Sequence, residues 1–199
     1  MIVSKPYSES CDQNKQVILD VIQPILKNST RLLEIGSGTG QHAVFFAQHM
    51  AHLHWQCSDR VEYHQGIQMY VDEAKLANLS APLALDVSQT NWPELQMDAV
   101  FSANTFHIMH WQNVVDFFAR LDEVLSAQGQ LLIYGPFNYN QSYTSQSNAQ
   151  FDQWLKSRDP QSGIRDFEAV EELAVRAGLR LQSDVAMPAN NRILHWQRD

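Results

Sequence analysis

Two hydrophobic periods alternate along the chain. Residues 12–27 place Val17, Ile18, Val21, Ile22 and Ile25 at the spacing of one helix face. Asn28-Ser29-Thr30 interrupts that pattern, and residues 31–35 form a short apolar run that ends at Gly36, as a buried strand does. The same reasoning predicts helices over 41–50, 61–77 and 111–125, and strands over 53–57, 82–85, 97–103 and 131–134. Residues 138–150 are polar and uncharged, with little helical pattern, and predict a long loop that acts as a mobile cover over the site at the carboxyl end of the sheet. Helices over 149–157 and 167–177 follow, the second stopped by Gly178. Strands over 179–186 and 192–197 are joined by Met187-Pro188-Ala189-Asn190-Asn191. That connection is too short for a crossover helix, so the last two strands should run antiparallel. Strands separated by helices predict a parallel sheet covered on both faces. The expectation is an α/β fold: a doubly wound, mostly parallel seven-stranded sheet with an antiparallel C-terminal strand, in a single domain over 1–199.

Composition narrows the class. Of 199 residues, 44% are hydrophobic and 18% charged, a globular balance and not a disordered one. Acidic residues outnumber basic ones, 22 to 14, for a formal charge of −8. Non-specific binding to nucleic acid needs a basic face, so no nucleic-acid partner is expected. Cys11 and Cys57 are too few for a disulfide framework and read as free thiols. No apolar run approaches the roughly 20 residues of a membrane helix, and the first residues lack the apolar core of a secretory signal. A soluble, cytoplasmic protein without a membrane partner is expected.

The candidate chemistry begins at Glu34-Ile35-Gly36-Ser37-Gly38-Thr39-Gly40, between the first strand and the following helix. Glycines there allow a tight turn and close approach of a ligand to the backbone, and the helix N-terminus supplies free N–H groups. The spacing is G-x-G-x-G. Position 41 is Gln, so the third glycine of the dinucleotide fingerprint is missing, and no phosphate-loop lysine follows. Asp59 ends the second strand, where a carboxylate can accept hydrogen bonds from both hydroxyls of a ribose. Asp86 ends the third, where an acid can meet an adenine amino group. Helix capping is the plainer alternative for both. Glu34 interrupts a strand expected to be buried, so it must be paired or hydrogen-bonded; it either holds the loop or attracts a cationic ligand group.

Glu-x-Gly-x-Gly-x-Gly after strand one, with acids after strands two and three, resembles the class I S-adenosylmethionine-dependent methyltransferases. The chain is closer still to a family of small methyltransferase-like proteins of bacteria and animals. The matching segments are Asn14-Lys15 with Ile18-Leu19, GSGTGQHA at 36–43, Trp55, Ser58-Asp59 and Leu85-Asp86-Val87. They continue with Asn104, His107, Tyr134-Gly135-Pro136-Phe137, Ser147-Asn148, Phe151-Asp152, Gly163, Arg165-Asp166 and Met187-Pro188-Ala189-Asn190-Asn191. Two positions depart from that family: Asp12-Gln13 stands where Glu-Arg is common, and Ala186 where Asp is common. The resemblance implies a class I methyltransferase fold. It also implies an S-adenosyl-L-methionine site formed by Glu34, Gly36, Ser37, Gly38, Thr39, Gly40, Asp59, Asp86, Val87 and Asn104. It brings no substrate.

In such a sheet the ligand lies beyond the carboxyl ends of the strands, where strand order reverses. This puts Asn104, His107 and Tyr134 at the reacting centre as candidate catalytic residues. Methyl transfer from a sulfonium needs alignment and exclusion of water, and a base only where the acceptor must lose a proton. His107 is the first candidate base, because histidine titrates near neutrality; His110 is the second, and packing or capping is the plain alternative for each. Asn-Thr-Phe-His at 104–107 is not the Asn/Asp-Pro-Pro-aromatic tetrad of nitrogen-methylating enzymes. His49, His52 and His54 crowd together without a completing ligand, and no metal is expected. Asp152, Arg158, Arg165 and Asp166 are candidates for gripping an anionic substrate. The expected function is methyl transfer to a small-molecule acceptor. The rivals are a non-catalytic cofactor-binding or partner-binding protein of the same fold, and an NAD-linked oxidoreductase, against which the missing glycine counts.

Overall fold

The computed structural model describes residues 4–199. Helix α1 (Glu9–Ile25) is opened by Ser8, whose hydroxyl accepts from the Cys11 N–H, and it buries Ile18, Leu19 and Ile22. Strand β1 (Arg31–Ile35), helix α2 (Gln41–His49), strand β2 (His54–Asp59) and helix α3 (Val61–Ala74) follow. Strands β3 (Leu79–Ala84) and β4 (Met97–Ala103) are joined by turns without a helix among the described residues. Then come α4 (Trp111–Arg120), β5 (Leu125–Gly135), a two-residue β6 (Phe137–Asn138) and α5 (Gln146–Arg158). The chain ends with β7 (Arg165–Asp166), α6 (Phe167–Arg176), β8 (Leu179–Met187) and β9 (Asn191–Arg198).

The seven-stranded sheet has the order β3-β2-β1-β4-β5-β9-β8. Strands β1 to β5 pair in parallel, and β9 runs antiparallel to both β5 and β8. The fold class expected from the sequence is therefore observed, with the reversed strand one place in from the edge. Successive strand residues face opposite ways. Leu32, Ala99, Phe101 and Leu132 meet α1, α2 and α3 on one face. Leu33, Val100, Leu131 and Ile133 meet α4 and α6 on the other. Burial on both faces is why these strands read as unbroken apolar runs.

Several boundaries differ from the sequence pattern: β3 begins at Leu79 and not at 82, α3 ends at Ala74 and not at 77, and two others have a clear cause. The 111–125 helix stops at Arg120 and tightens into a 3-10 turn, so Leu125 opens β5 instead; Val124 and Leu125 stay in the same core, and periodicity could not separate the two. Helix α5 begins at Gln146, inside the polar run expected to be a loop. Its buried residues are Asn148, Asp152 and Leu155, so polar contacts join a short apolar stripe in holding it.

Candidate functional site

The chain turns back at the boundary between β1 and β4, since β2 and β3 lie on one side of β1 and β4 and β5 on the other. The glycine loop occupies the carboxyl end of β1 at this point. Gly36 and Ser37 both donate their N–H to the Ser58 carbonyl at 3.0 Å, and Ser58 Oγ donates to the Glu34 carbonyl at 2.6 Å. Gly36 has φ +78, and a Cβ there would lie 2.7 Å from Thr105 Cγ2, so the loop passes tightly over the end of β4. Gly40 closes the loop, donating to Ser37 O at 2.9 Å.

Glu34 lies beneath this loop, 1% exposed. Its Oε2 accepts from Ser37 Oγ at 2.8 Å and from Trp55 Nε1 at 3.0 Å. Of the two roles open to it in the sequence, the geometry gives it bracing of the loop. Burial pushes its carboxyl up to about 7, against the two hydrogen bonds.

Gly38 is different from its neighbours. Its φ is +59, and no heavy atom lies within 4 Å of where a Cβ would stand. Its N–H donates to Asp59 Oδ2 at 2.8 Å, and Asp59 Oδ1 accepts from Arg60 N at 2.8 Å. Burial raises the Asp59 pKa in spite of these bonds. Asp59 thus reaches across the end of β2 to the open crest of the loop. Asp86 begins the turn after β3; its Oδ1 accepts from Ser88 N at 3.0 Å and Ser88 Oγ at 2.7 Å, and its Oδ2 has no partner among the described residues. It caps a turn and no helix. Val87 is buried beside it.

The residues expected at the reacting centre lie at the ends of β4 and β5. Asn104 takes φ +56, and its side chain has no hydrogen bond among the described residues. His107 is 6% exposed, packs edge-on against Phe151 of α5 at 5.3 Å, and has no hydrogen bond to either ring nitrogen among the described residues. Burial and then Arg165 push its pKa down to about 4. The sequence argument that this histidine titrates near neutrality is therefore corrected: it is neutral at pH 7 and a weak base. His110 precedes α4 and bonds Asp159 Oδ2 at 2.8 Å, a capping-region contact at the surface. The Tyr134 hydroxyl stands beside the side chains of Asn14 and Asn191, and burial raises its pKa. Asn14 Oδ1 accepts from His42 Nε2 at 2.7 Å, and His42 is buried and lowered to about 4.

The cationic groups expected to grip an anion are occupied elsewhere. Arg165 Nε donates to Phe106 O at 3.1 Å, and its Nη2 donates to the Met109 and Gln161 carbonyls. Lys156 and Tyr143 both donate to Asp152 Oδ2, and Ile164 N donates to Oδ1 at 2.7 Å. Arg158 lies over the Trp154 ring, 4.7 Å from its centroid. Residues 138–150 are likewise tied down. Tyr139 donates to Asp184 at 2.7 Å and stacks on Phe167, and Asn140 N donates to Glu168 at 3.0 Å. The mobile cover expected there is an anchored segment that leads into α5. His49, His52 and His54 bond separately to Phe45 O, Leu26 O and Ser80 Oγ. Asp12 pairs with Lys15, and Ala186 lies opposite Arg192 in the β8–β9 ladder.

Glu34, the glycine loop, Asp59, Asp86, Val87, Asn104, His107 and Tyr134 lie at the carboxyl end of a parallel strand or in the loop after it, whereas Asp152 and Arg158 lie on α5 and Arg165 and Asp166 on β7. Sequence reasoning missed Trp55 as the partner of Glu34, Ser58 as the loop's acceptor, and Gln41, which bonds Thr39 and Ser8. No described helix is long and apolar enough to cross a membrane.

Solved structures share this arrangement. An O-methyltransferase family protein from Burkholderia thailandensis superposes with a TM-score of 0.84 at 13% identity, over 96% of this chain and 58% of its own. The S-adenosylmethionine-dependent methyltransferase SibL superposes at 0.80 and 20% identity, over 95% and 55%. An O-methyltransferase family 2 protein from Planctomyces limnophilus DSM 3776, in complex with apigenin, gives 0.75 and 18%, over 88% and 52%. The chain spans little more than half the length of these proteins. At such identities the likeness shows the fold alone, the Rossmann-like fold of class I methyltransferases. A family model matches residues 5–198, nearly the whole chain, and the protein belongs to that family, described as "Protein of unknown function (DUF938)".

Proposed function

We propose that this chain is an S-adenosyl-L-methionine-dependent methyltransferase acting on a small, uncharged acceptor, with residues 1–199 working as one domain. The observation that carries the reading is Gly38. It stands at the strand-order reversal with open space before it, and its N–H is held by Asp59. A ligand lying on the backbone there would meet loop N–H groups, the Asp59 carboxylate and the free oxygen of Asp86. That set suits an amino-acid end, a ribose and an adenine. Gly36, Ser37, Thr39, Gly40 and Val87 complete the wall, Glu34 braces it, and Asn104 faces the amino-acid end.

When bound, the cofactor supplies an electrophilic methyl group, open to in-line attack. The chain's own residues orient the acceptor and exclude water. His107, Asn104 and Tyr134 would line the acceptor's approach. A neutral His107 accepts a hydrogen bond from a hydroxyl or amine and fixes its lone pair. The pairing of Arg165, Lys156 and Arg158 with other groups supports an uncharged acceptor. The aromatic side chains Phe151 and Trp154, stacked at 5.7 Å beside His107, support one with a ring or apolar body.

One observation favours the alternative, a cofactor-binding protein without turnover: His107, at about 4, is a poor base for an unactivated hydroxyl. Incubation with labelled cofactor and a pool of metabolites separates the two. Formation of S-adenosylhomocysteine that depends on the pool supports the enzyme; cofactor binding with no turnover across the pool supports the alternative.

A further inference from the structure

Gln41 occupies the first position of α2, where the dinucleotide fingerprint has its third glycine. Its side chain joins three groups. Ser8 N donates to Gln41 Oε1 at 2.6 Å, and Gln41 Nε2 donates back to Ser8 O at 3.2 Å. Thr39 Oγ1, on the loop itself, donates to the same Oε1 at 3.0 Å. The stretch before α1 is therefore fastened to the glycine loop through one amide.

The other end of that stretch is fastened to α3. Pro6 sits against Gly66, where a Cβ would lie 2.6 Å from Pro6 Cγ. Tyr70 donates its hydroxyl to Pro6 O at 2.8 Å. Lys5 pairs with Glu73 and lies 3.7 Å from the Tyr70 ring centroid. Tyr7, between the two anchors, is 66% exposed. Past the Ser8 cap, Cys11 stands within reach of Thr39 and Glu34. Residues 5–8 thus run as a strap from α3 to the start of α2, beside the loop. None of the four belongs to either hydrophobic core. A segment held by a few polar contacts and no core burial opens at low cost, which is the character of a gating element.

We propose that residues 5–8 form the outer wall of the cofactor site and that Gln41 is the positioning residue that holds them there. This inference rests on the cofactor reading above. Cofactor can then leave only when the strap lifts, and lifting breaks the paired Ser8–Gln41 hydrogen bonds. A glycine at 41 would leave the strap unheld, which accounts for the departure from the fingerprint.

The test is the dissociation rate of S-adenosylhomocysteine from the full-length protein and from two variants that act on opposite anchors. Gln41→Ala removes the amide. Gly66→Ala places a methyl group against Pro6 and pushes the strap off, while alanine favours the helix it joins. Both variants are expected to release S-adenosylhomocysteine about tenfold faster, the size of one or two lost hydrogen bonds. The unfolding temperature of the ligand-free protein should fall by no more than about 4 °C in Gln41→Ala, the size of one or two lost hydrogen bonds, and stay within the same range of wild type in Gly66→Ala. Gln41→Glu, which keeps the acceptor for Ser8 N, should give an intermediate rate. Wild-type release rates in both alanine variants would overturn the strap while leaving the cofactor reading intact. Absence of S-adenosylhomocysteine binding to the wild-type protein would overturn both.

Discussion

Burial sets the protonation of three side chains near the loop, and the signs oppose one another. Glu34 titrates at about 7 in the folded protein, against 4.5 for an ordinary glutamate. The folded state binds its proton more tightly, so the associated stability is full below about pH 4.5 and is lost as pH rises through 7. Each tenfold gain in proton affinity is worth about 1.4 kcal/mol, so the loss is about 3 kcal/mol. His42 and His107 are lowered to about 4 from 6.5. Their stability is full above about pH 6.5 and is lost as pH falls through 4. Glu34→Gln keeps an acceptor for Trp55 and Ser37. It should remove Glu34's share of the fall of stability between pH 4.5 and 7, so that the variant gains on the wild-type protein as pH rises through 7; urea unfolding across pH 4–8 checks this. A slope unchanged by the substitution contradicts the assignment. In turnover, His107 should produce no acid limb near pH 6.5, because its proton leaves near 4. At this scale the sequence shows that Glu34 is anomalous. It does not show Trp55, because that contact comes from the pairing of β1 with β2 and not from spacing along the chain.

Helix α5 is where element-level reasoning from the sequence stops short. Ser145 caps it, accepting from Asn148 N at 3.1 Å, and Asn148 donates to Thr144 and to Asn190 O. Its buried face is anchored by Asp152, 1% exposed, which accepts from Tyr143, Lys156 and the Ile164 N–H. The pattern over 149–157 predicts most of this helix; its first turn, whose buried side chain is the polar Asn148, falls in the polar run, and only the Ser145 cap signals it. Asp152→Ala should cost about 3 kcal/mol, since three donors lose their acceptor, and Tyr143→Phe about 1 kcal/mol. Shifts of the urea midpoint measure both. Amides of 146–158 should exchange slowly in the free protein. Exchange as fast as in a loop tip would restore the mobile cover expected from the composition. By contrast, β1, α2, β4 and α4 are buried by apolar groups, and their existence was legible from spacing.

For the molecule as a whole, the two strand classes and the reversed final pair follow from connection lengths, and the site follows from the strand-order reversal. The order itself, with β9 between β5 and β8, is a matter of packing that spacing does not encode. Exposed large apolar side chains also gather at one end. Tyr7 precedes α1, and Val61 and Tyr63 open α3 after β2. Ile108 and Trp111 follow β4, Tyr143 and Trp154 follow β5, and Val175 stands apart at the end of α6. Concentration at the edge that carries the loop marks that edge as a binding surface. It agrees with an acceptor that brings an apolar body and no charge.

The most direct test of the central claim is calorimetric titration of S-adenosylhomocysteine and of NADH into the wild-type protein and Gly38→Val. A valine at φ +59 is strained, and its side chain enters the open space above the loop without touching the core. The account predicts that the wild-type protein binds S-adenosylhomocysteine and binds NADH much more weakly. It also predicts that Gly38→Val stays folded and loses S-adenosylhomocysteine binding. Equal or tighter binding of NADH, or unchanged S-adenosylhomocysteine affinity in a folded Gly38→Val variant, would contradict it.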